Sequence, residues 1–237
     1  MSPTRLPLQS LPGLHGQVLD QLGAAICAGR MVSGTVITLD EIERSYGVSR
    51  SVARETVRVL ESMRLVISRR RVGTVVLTPD EWNLFDPRVI RWRMESPDRA
   101  EQVASLIELR VAVEPEAARL AATRASAQQA AQLVALAARM WAASEEGDSE
   151  GFLELDVRFH ALVLASSGNP MFRRLESLVS EFLTGRLAHG LGPEHPHPAA
   201  LSQHTAVATA IQTRDSDEAF AAMRRLLLQS AQETSAE

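Results

Sequence analysis

The chain contains no lysine: all 25 basic residues among its 237 are arginine. It has one cysteine and one tyrosine, and aromatic residues make up only 4%. A single cysteine, Cys27, excludes an intramolecular disulfide, and its alanine-rich helical setting assigns it to core packing. No apolar run approaches the ~20 residues that a membrane-spanning helix needs. The opening residues MSPTRLPLQSLPGL lack the cationic start and apolar stretch of a signal peptide, so a cytoplasmic location without membrane contact is expected. What remains, 45% hydrophobic and 23% charged, has the composition of a folded soluble protein of one large domain or two ordinary ones.

The net charge of −4 conceals a division. Residues 1–78 hold 10 arginines and 6 acids, whereas residues 79–237 hold 15 arginines and 23 acids. A basic front third joined to an acidic remainder indicates two separate tasks on one chain.

The front third reads as helix, short helix, tight turn, helix and hairpin. Leu14 to Met31 is predicted helical, with Val18, Leu19, Leu22, Ile26 and Cys27 inward. Ser33-Gly34 turns the chain. Thr38 suits an N-cap for the short helix DEIERSYG, whose early acids complement the helix dipole, and Gly47 closes it. Ser49 caps the next helix, which starts with Arg50 and Ser51. Arg50, Arg54 and Arg58 lie at i, i+4 and i+8, so they share one face, with Val52, Val57, Leu60 and Met63 largely opposite. Three stacked cations repel one another unless a polyanion is near, and arginine can also read guanine edges in a major groove. A solvated charged face is the bland alternative; the capped helix-turn-helix around it favours DNA. The hairpin Leu65–Ser68 and Thr74–Leu77 carries Arg69, Arg70, Arg71 and Gly73 between its strands, suited to phosphate or minor-groove contact. The whole pattern is a winged helix-turn-helix over 1–78.

Residues 79–98, with three prolines and two of the three tryptophans between Thr78 and Asp98, read as an inter-domain linker docked by its aromatic side chains. From 99 to 237 the expected fold is an antiparallel helical bundle, with helices over 99–123, 126–146, 149–167, 170–190, 199–213 and 215–233. The expected fold class is therefore mainly α, with the sheet confined to the wing.

In the bundle, Asp156 and His160 stand at i, i+4 within the stripe Phe152, Leu155, Phe159 and Val163, so both polar groups should face the core. His204 sits likewise with Val207, Ala208 and Ile211. A buried carboxylate and imidazole need partners. The set is either an Asp–His pair with no metal or an oxygen/nitrogen ligand set for Zn, Ni or Mn. Arg110 lies near Ile107, Val113 and Ala117 with Glu114 one turn on: either an Arg–Glu surface pair, or an inward guanidinium that forks onto a ligand carboxylate. Asn169 is a turn residue or points into the same cavity. His189, His195 and His197, in a Gly/Pro-rich loop, are assigned to solvent.

These motifs resemble the GntR family of bacterial transcription regulators, in the FadR-like subfamily. The run G-V-S-R-x-x-x-R-E-x-x-R-x-L-E from Gly47 to Glu61, with the wing glycine, carries the first match. L-R-x-x-x-E at 109–114, D-x-x-x-H at 156–160, S-G-N-P at 167–170 and His204 resemble the FCD effector domain. The segment E-W-N-L-F-D-P-x-V-I-x-W is similar to regulators of gluconate and galactonate catabolism. The resemblance implies a homodimer on a pseudo-palindromic double-stranded operator, acting as a repressor. It also implies a small carboxylate effector, such as a sugar acid, bound in the bundle at a divalent metal. Ser49, Arg50, Ser51, Arg54, Arg58, Arg69, Arg71 and Gly73 then face DNA; Asp156, His160 and His204 hold the metal; Arg110 and Asn169 meet the effector. An amino acid, lactate or a dicarboxylate is the alternative effector class, and a metal-dependent hydrolase the competing function. The sequence departs from the pattern twice. Asp40 replaces an early basic residue of the second helix, and Leu226 stands where many members place a fourth ligand.

Overall fold

A computed structural model describes residues 13–190 and 198–235. They form two compact units that divide between Arg99 and Ala100. The first contains α1 (Leu14–Cys27), β1 (Val36–Ile37), α2 (Leu39–Tyr46), α3 (Arg50–Ser62), β2 (Val66–Arg69) and β3 (Gly73–Val76), then a 3-10 turn and α4 (Pro87–Met94). The expected inner face of α1 is buried as Val18, Leu19, Leu22, Ile26 and Cys27, packed with Ile42, Val57, Leu60 and Leu65 into one core. The helix stops at Cys27, one turn before Met31, where Gly29 takes a left-handed φ of 69°.

Both helix starts obey their caps. The Thr38 hydroxyl accepts from the Glu41 N–H while the Glu41 carboxylate takes the Thr38 N–H, and Gly47 ends α2 at φ 62°. This reciprocal pairing satisfies donors that a helix start leaves free. The two-residue β1 is absent from the sequence reading. Its identity comes from pairing rather than pattern: Val36 and Ile37 lie antiparallel to Val75 and Thr74, giving the order β1-β3-β2.

Much of the expected linker 79–98 is instead helical and belongs to the first unit. Asp86 accepts the Arg88 N–H at 2.9 Å and Pro87 occupies the first helical position, a start signal that the proline count obscured. Val89 and Trp92 of α4 enter the same core. Trp92 packs where Gly23 of α1 has no side chain; a Cβ there would stand 2.3 Å from the indole.

The second unit consists of α5 (Arg99–Arg124), α6 (Ala127–Glu146), α7 (Ser149–Ser166), α8 (Pro170–Arg173), α9 (Glu176–Ala188), α10 (Pro198–Gln212) and α11 (Ser216–Ser235). α6 packs on α7 and α10, α7 on α9, and α10 on α11, around Met140, Phe159, Phe182 and Leu133. The helix expected over 170–190 is two. After the Asn169 cap, the Arg174 and Leu175 N–H groups bond three residues back, to Met171 and Phe172, which tightens the chain before α9.

Candidate functional site

α3 is amphipathic as its spacing requires. Ala53, Thr56, Val57 and Leu60 are buried, while Arg50, Ser51, Arg54 and Arg58 are exposed. Ser49 accepts the Val52 N–H at 3.4 Å, so its hydroxyl serves the cap. Arg54 has no ion-pair partner among the described residues, and Arg58 meets Glu55 at 3.5 Å. Arg50 differs: its Nη1 donates to Asp40 at 2.6 Å and to Glu43 at 3.2 Å. The acid that replaces the expected basic residue is therefore a partner of the first arginine on α3.

The wing is tied to this helix. Glu61, near the end of α3, accepts the Ser68 N–H of β2 at 2.6 Å. Arg69, Arg70 and Arg71 are exposed at the hairpin tip, with Arg71 at φ 63°. Gly73 takes φ 121°, and a Cβ there would come within 2.9 Å of Val36. The strand pairing thus demands glycine on two grounds.

In the bundle, five side chains form a continuous polar chain through an apolar interior. Arg110 and Glu114 lie one turn apart on α5, buried with His160 and His204, which are only 2–3% exposed. The Arg110 Nε donates to Glu114 Oε1 at 2.5 Å, and its guanidinium sits 5.1 Å from the Phe182 ring centre. Glu114 Oε2 also holds Nδ1 of His160 in a very short hydrogen bond. The Nε2 of His160 then faces Asp156 Oδ1 at 3.3 Å, and the Nε2 of His204 faces the same oxygen at 2.9 Å. His204 closes the chain with Nδ1 at 2.8 Å from the Ala200 carbonyl.

The sequence reading missed Glu114 as a site residue. The available signal was its stripe: Leu106, Arg110, Glu114, Ala117 and Ala121 are all buried on α5. Arg110 is thus both inward and paired, and its carboxylate partner belongs to the chain itself. Asn169 does not join the cluster. Its side chain caps α8 by accepting the Met171 N–H at 2.9 Å, and its own N–H goes to Ser167. His189 is half-buried, while His195 and His197 lie outside the described residues.

Charge alternates from Arg110 through Glu114 and His160 to Asp156. Burial pushes the Glu114 carboxyl up, but Arg110 and His160 outweigh it and hold the pKa at about 2. For Asp156, burial is likewise outweighed by hydrogen bonds and charges from His160 and His204, leaving it well below the usual carboxylate range. Burial would lower the His160 pKa; the charges of Glu114 and Asp156, resisted by Arg110, raise it to about 9.

This donor set fits a divalent metal. One oxygen of Asp156 and one nitrogen from each of His160 and His204 lie within 4.8 Å of one another. Each imidazole has its Nδ1 engaged away from the cluster, by Glu114 or by a backbone carbonyl, which leaves Nε2 to ligate. Metal-bound histidines are ordinarily oriented by such outer partners. Leu226, buried in α11, offers no fourth ligand. The cavity beside Arg110 and Glu114, lined by Leu109, Val113, Leu164 and Leu178, measures only about 10 Å³. A larger trough of about 440 Å³, bordered by Arg139, Arg158 and Glu176, holds none of the expected site residues. No helix among the described residues is long and apolar enough to cross a membrane.

Comparison with known proteins matches both units. Residues 14–76 match the model of bacterial regulatory proteins of the gntR family, and residues 105–229 match the FCD domain. The chain is 31% identical over 205 residues to the galactonate operon transcriptional repressor of Escherichia coli K12, covering 86% of this chain and 89% of the relative. It is also 31% identical over 209 residues to the uncharacterized HTH-type transcriptional regulator YieP of the same organism, covering 88% and 90%. In fold it is similar to E. coli McbR/YncC, with a TM-score of 0.54, 16% identity and coverage of 95% and 99%. A Listeria monocytogenes protein described as Lar, which controls the agr system, gives a TM-score of 0.56 at 16% identity, covering 96% of this chain and 99% of that one. Proteins of this construction regulate transcription and are not enzymes. A DNA-binding winged helix-turn-helix followed by an effector domain makes this chain a transcriptional regulator of the GntR family, with an FCD domain.

Proposed function

We propose that the protein is a homodimeric repressor that leaves its operator when a small carboxylate, in the first instance a sugar acid such as galactonate or gluconate, binds in the bundle with a divalent metal. The convergence of two Nε2 atoms on one Asp156 oxygen carries the metal part of this reading. The galactonate operon repressor, similar along most of its length, supports the effector class. Lactate, an amino acid or a dicarboxylate is the second reading, since nothing in the donor set distinguishes hydroxyl patterns.

On this reading Asp156, His160 and His204 hold Zn, Ni or Mn. The bound cation supplies Lewis-acidic positions for the effector's carboxylate and an adjacent hydroxyl. The chain's own residues do the rest. Glu114 and the Ala200 carbonyl keep both imidazoles turned inward. An effector carboxylate reaching Arg110 meets a guanidinium already paired with Glu114 through Nε and Nη2, so it has to compete with that carboxylate or use the remaining Nη1. The cavity beside it admits no more than one water, so an acid that enters there has to move side chains of α5, α7 or α9. A ligand that favours one arrangement by several kcal/mol shifts the population almost completely.

In the head, Arg50, Ser51, Arg54 and Arg58 face the major groove, and the wing residues Arg69, Arg71 and Gly73 lie along the backbone or minor groove, with Ser49 fixing the start of α3. Two such heads in a dimer read the two halves of a palindrome.

Thermal shift of the full chain after EDTA treatment tests this proposal, with chlorides of Zn, Ni and Mn added alone and with each acid. Metal should raise the melting temperature, a sugar acid should raise it further only when metal is present, and His204→Ala should remove both gains. A protein that ignores every metal would end the metal reading. One stabilised only by lactate or amino acids would replace the effector class.

A further inference from the structure

The three arginines of α3 are not equivalent. Arg54 has no ion-pair partner among the described residues and Arg58 has a loose one, whereas Arg50 donates one terminal nitrogen to two acids of α2. The pair lies in water: the Arg50 side chain is 58% exposed and that of Asp40 69%. Ion pairs at such exposure contribute little to folding. Nor is Asp40 required to start α2, since Thr38 and Glu41 already form the complete cap.

The location gives the pair a different meaning. The first turn of a helix attracts phosphate through its free N–H groups and dipole, and a carboxylate placed there repels it. Together Arg50, Asp40 and Glu43 carry one net negative charge, so the cluster as a whole adds nothing to unspecific attraction for a polyanion. Its guanidinium keeps further donors. With Nη1 held, Nε and Nη2 remain to meet an acceptor pair such as O6 and N7 of guanine.

We propose that Asp40, backed by Glu43, is a positioning and specificity-determining residue that presents Arg50 to base edges and withholds it from phosphates. The inference rests on α3 being the DNA-reading helix. It explains how an acid can stand where a phosphate-binding cation is expected: the position suppresses grip on unselected DNA.

The test uses the full-length protein and a duplex selected from a random library, with its scrambled sequence as control. Affinities for both are measured across a salt series for the parent, Asp40→Asn, Asp40→Glu, Arg50→Ala and the Asp40→Asn/Arg50→Ala double variant. Asp40→Asn should tighten binding to the scrambled duplex and steepen the dependence of log Kd on log salt by about one, the slope of one added phosphate contact. It should narrow the selected-to-scrambled ratio by roughly tenfold, the scale of one well-formed base contact. Asp40→Glu should retain the ratio, and in the Arg50→Ala background Asp40→Asn should leave it unchanged. The proposal is overturned if Asp40→Asn does not alter the ratio, or narrows it equally without Arg50. Parallel weakening on both duplexes with a lower melting temperature would make Asp40 structural and overturn it too. If Arg50→Ala itself leaves the ratio intact, the assignment of α3 as the reading helix falls as well.

Discussion

Glu114 holds Arg110 with one carboxylate oxygen and His160 with the other, inside a bundle where all three side chains are nearly inaccessible to water. Removing the shared acid leaves the Arg110 guanidinium buried without its carboxylate and His160 with Asp156 alone. Glu114→Ala should therefore destabilise the protein by about 3–5 kcal/mol. Denaturant unfolding followed by helical circular dichroism measures this. A loss no larger than that of Glu116→Ala, at a half-buried site on the same helix, would show that the network is not a supporting element.

The same pair sets a pH profile for metal-free protein. Glu114 falls from 4.5 to about 2 on folding, so its stabilisation is complete above 4.5 and is lost as pH drops toward 2. His160 rises from 6.5 to about 9, so its stabilisation is complete below 6.5 and is lost as pH climbs through 9. Melting temperature in EDTA should be highest between those limits and decline on both sides. His160→Gln should flatten the alkaline limb; a parent protein that keeps gaining stability toward pH 9 would contradict the assignment.

Gly23→Ala should disturb the first unit, because the added methyl meets the Trp92 ring at 2.3 Å. Overpacking of this kind costs about 1–3 kcal/mol. The check is a double-mutant comparison with Trp92→Leu, which clears the space. Additive losses would mean that the two residues do not share it.

Cys27 should be chemically silent in the native state. Burial raises its thiol pKa to about 12, against a smaller opposite pull from Arg93, so almost no thiolate exists at neutral pH. Titration with an aromatic disulfide should give no fast reaction until denaturant is added, then one thiol per chain. Rapid native labelling would place the residue outside the core.

Arg54→Ala should abolish preference for the selected duplex with helix content unchanged, since its guanidinium is exposed and pairs with nothing among the described residues. Retained preference would remove it from the reading face.

Much of the first unit was legible in the sequence because its signals are local. Thr38, Gly47 and Ser49 mark helix ends by hydrogen bonds spanning three or four residues, and the arginine spacing follows from the helical repeat. The failures share a different origin. β1 exists only through β3, and the break between α8 and α9 lacks a proline or glycine. α4 carried its Asp86-Pro87 signal inside a segment whose prolines argued for a linker. In the bundle the three expected ligand residues do converge, since each lay on an apolar stripe. Glu114 was hidden because an Arg–Glu pair one turn apart has the same spacing on a surface as in a core. Only the neighbouring helix that carries His160 distinguishes the two, and sequence distance conceals it.

The bond from Ser68 to Glu61 separates two kinds of residue in the hairpin. The base of the wing moves with the end of α3, while Arg70 and Arg71 lie beyond the last constrained pair, Arg69 opposite Gly73. Exchanges at the tip therefore leave the register of β2 and β3 and the seating of α3 untouched. If the wing meets the DNA backbone as proposed, a lineage can retune that hold one side chain at a time, and base preference can be inherited while overall grip drifts.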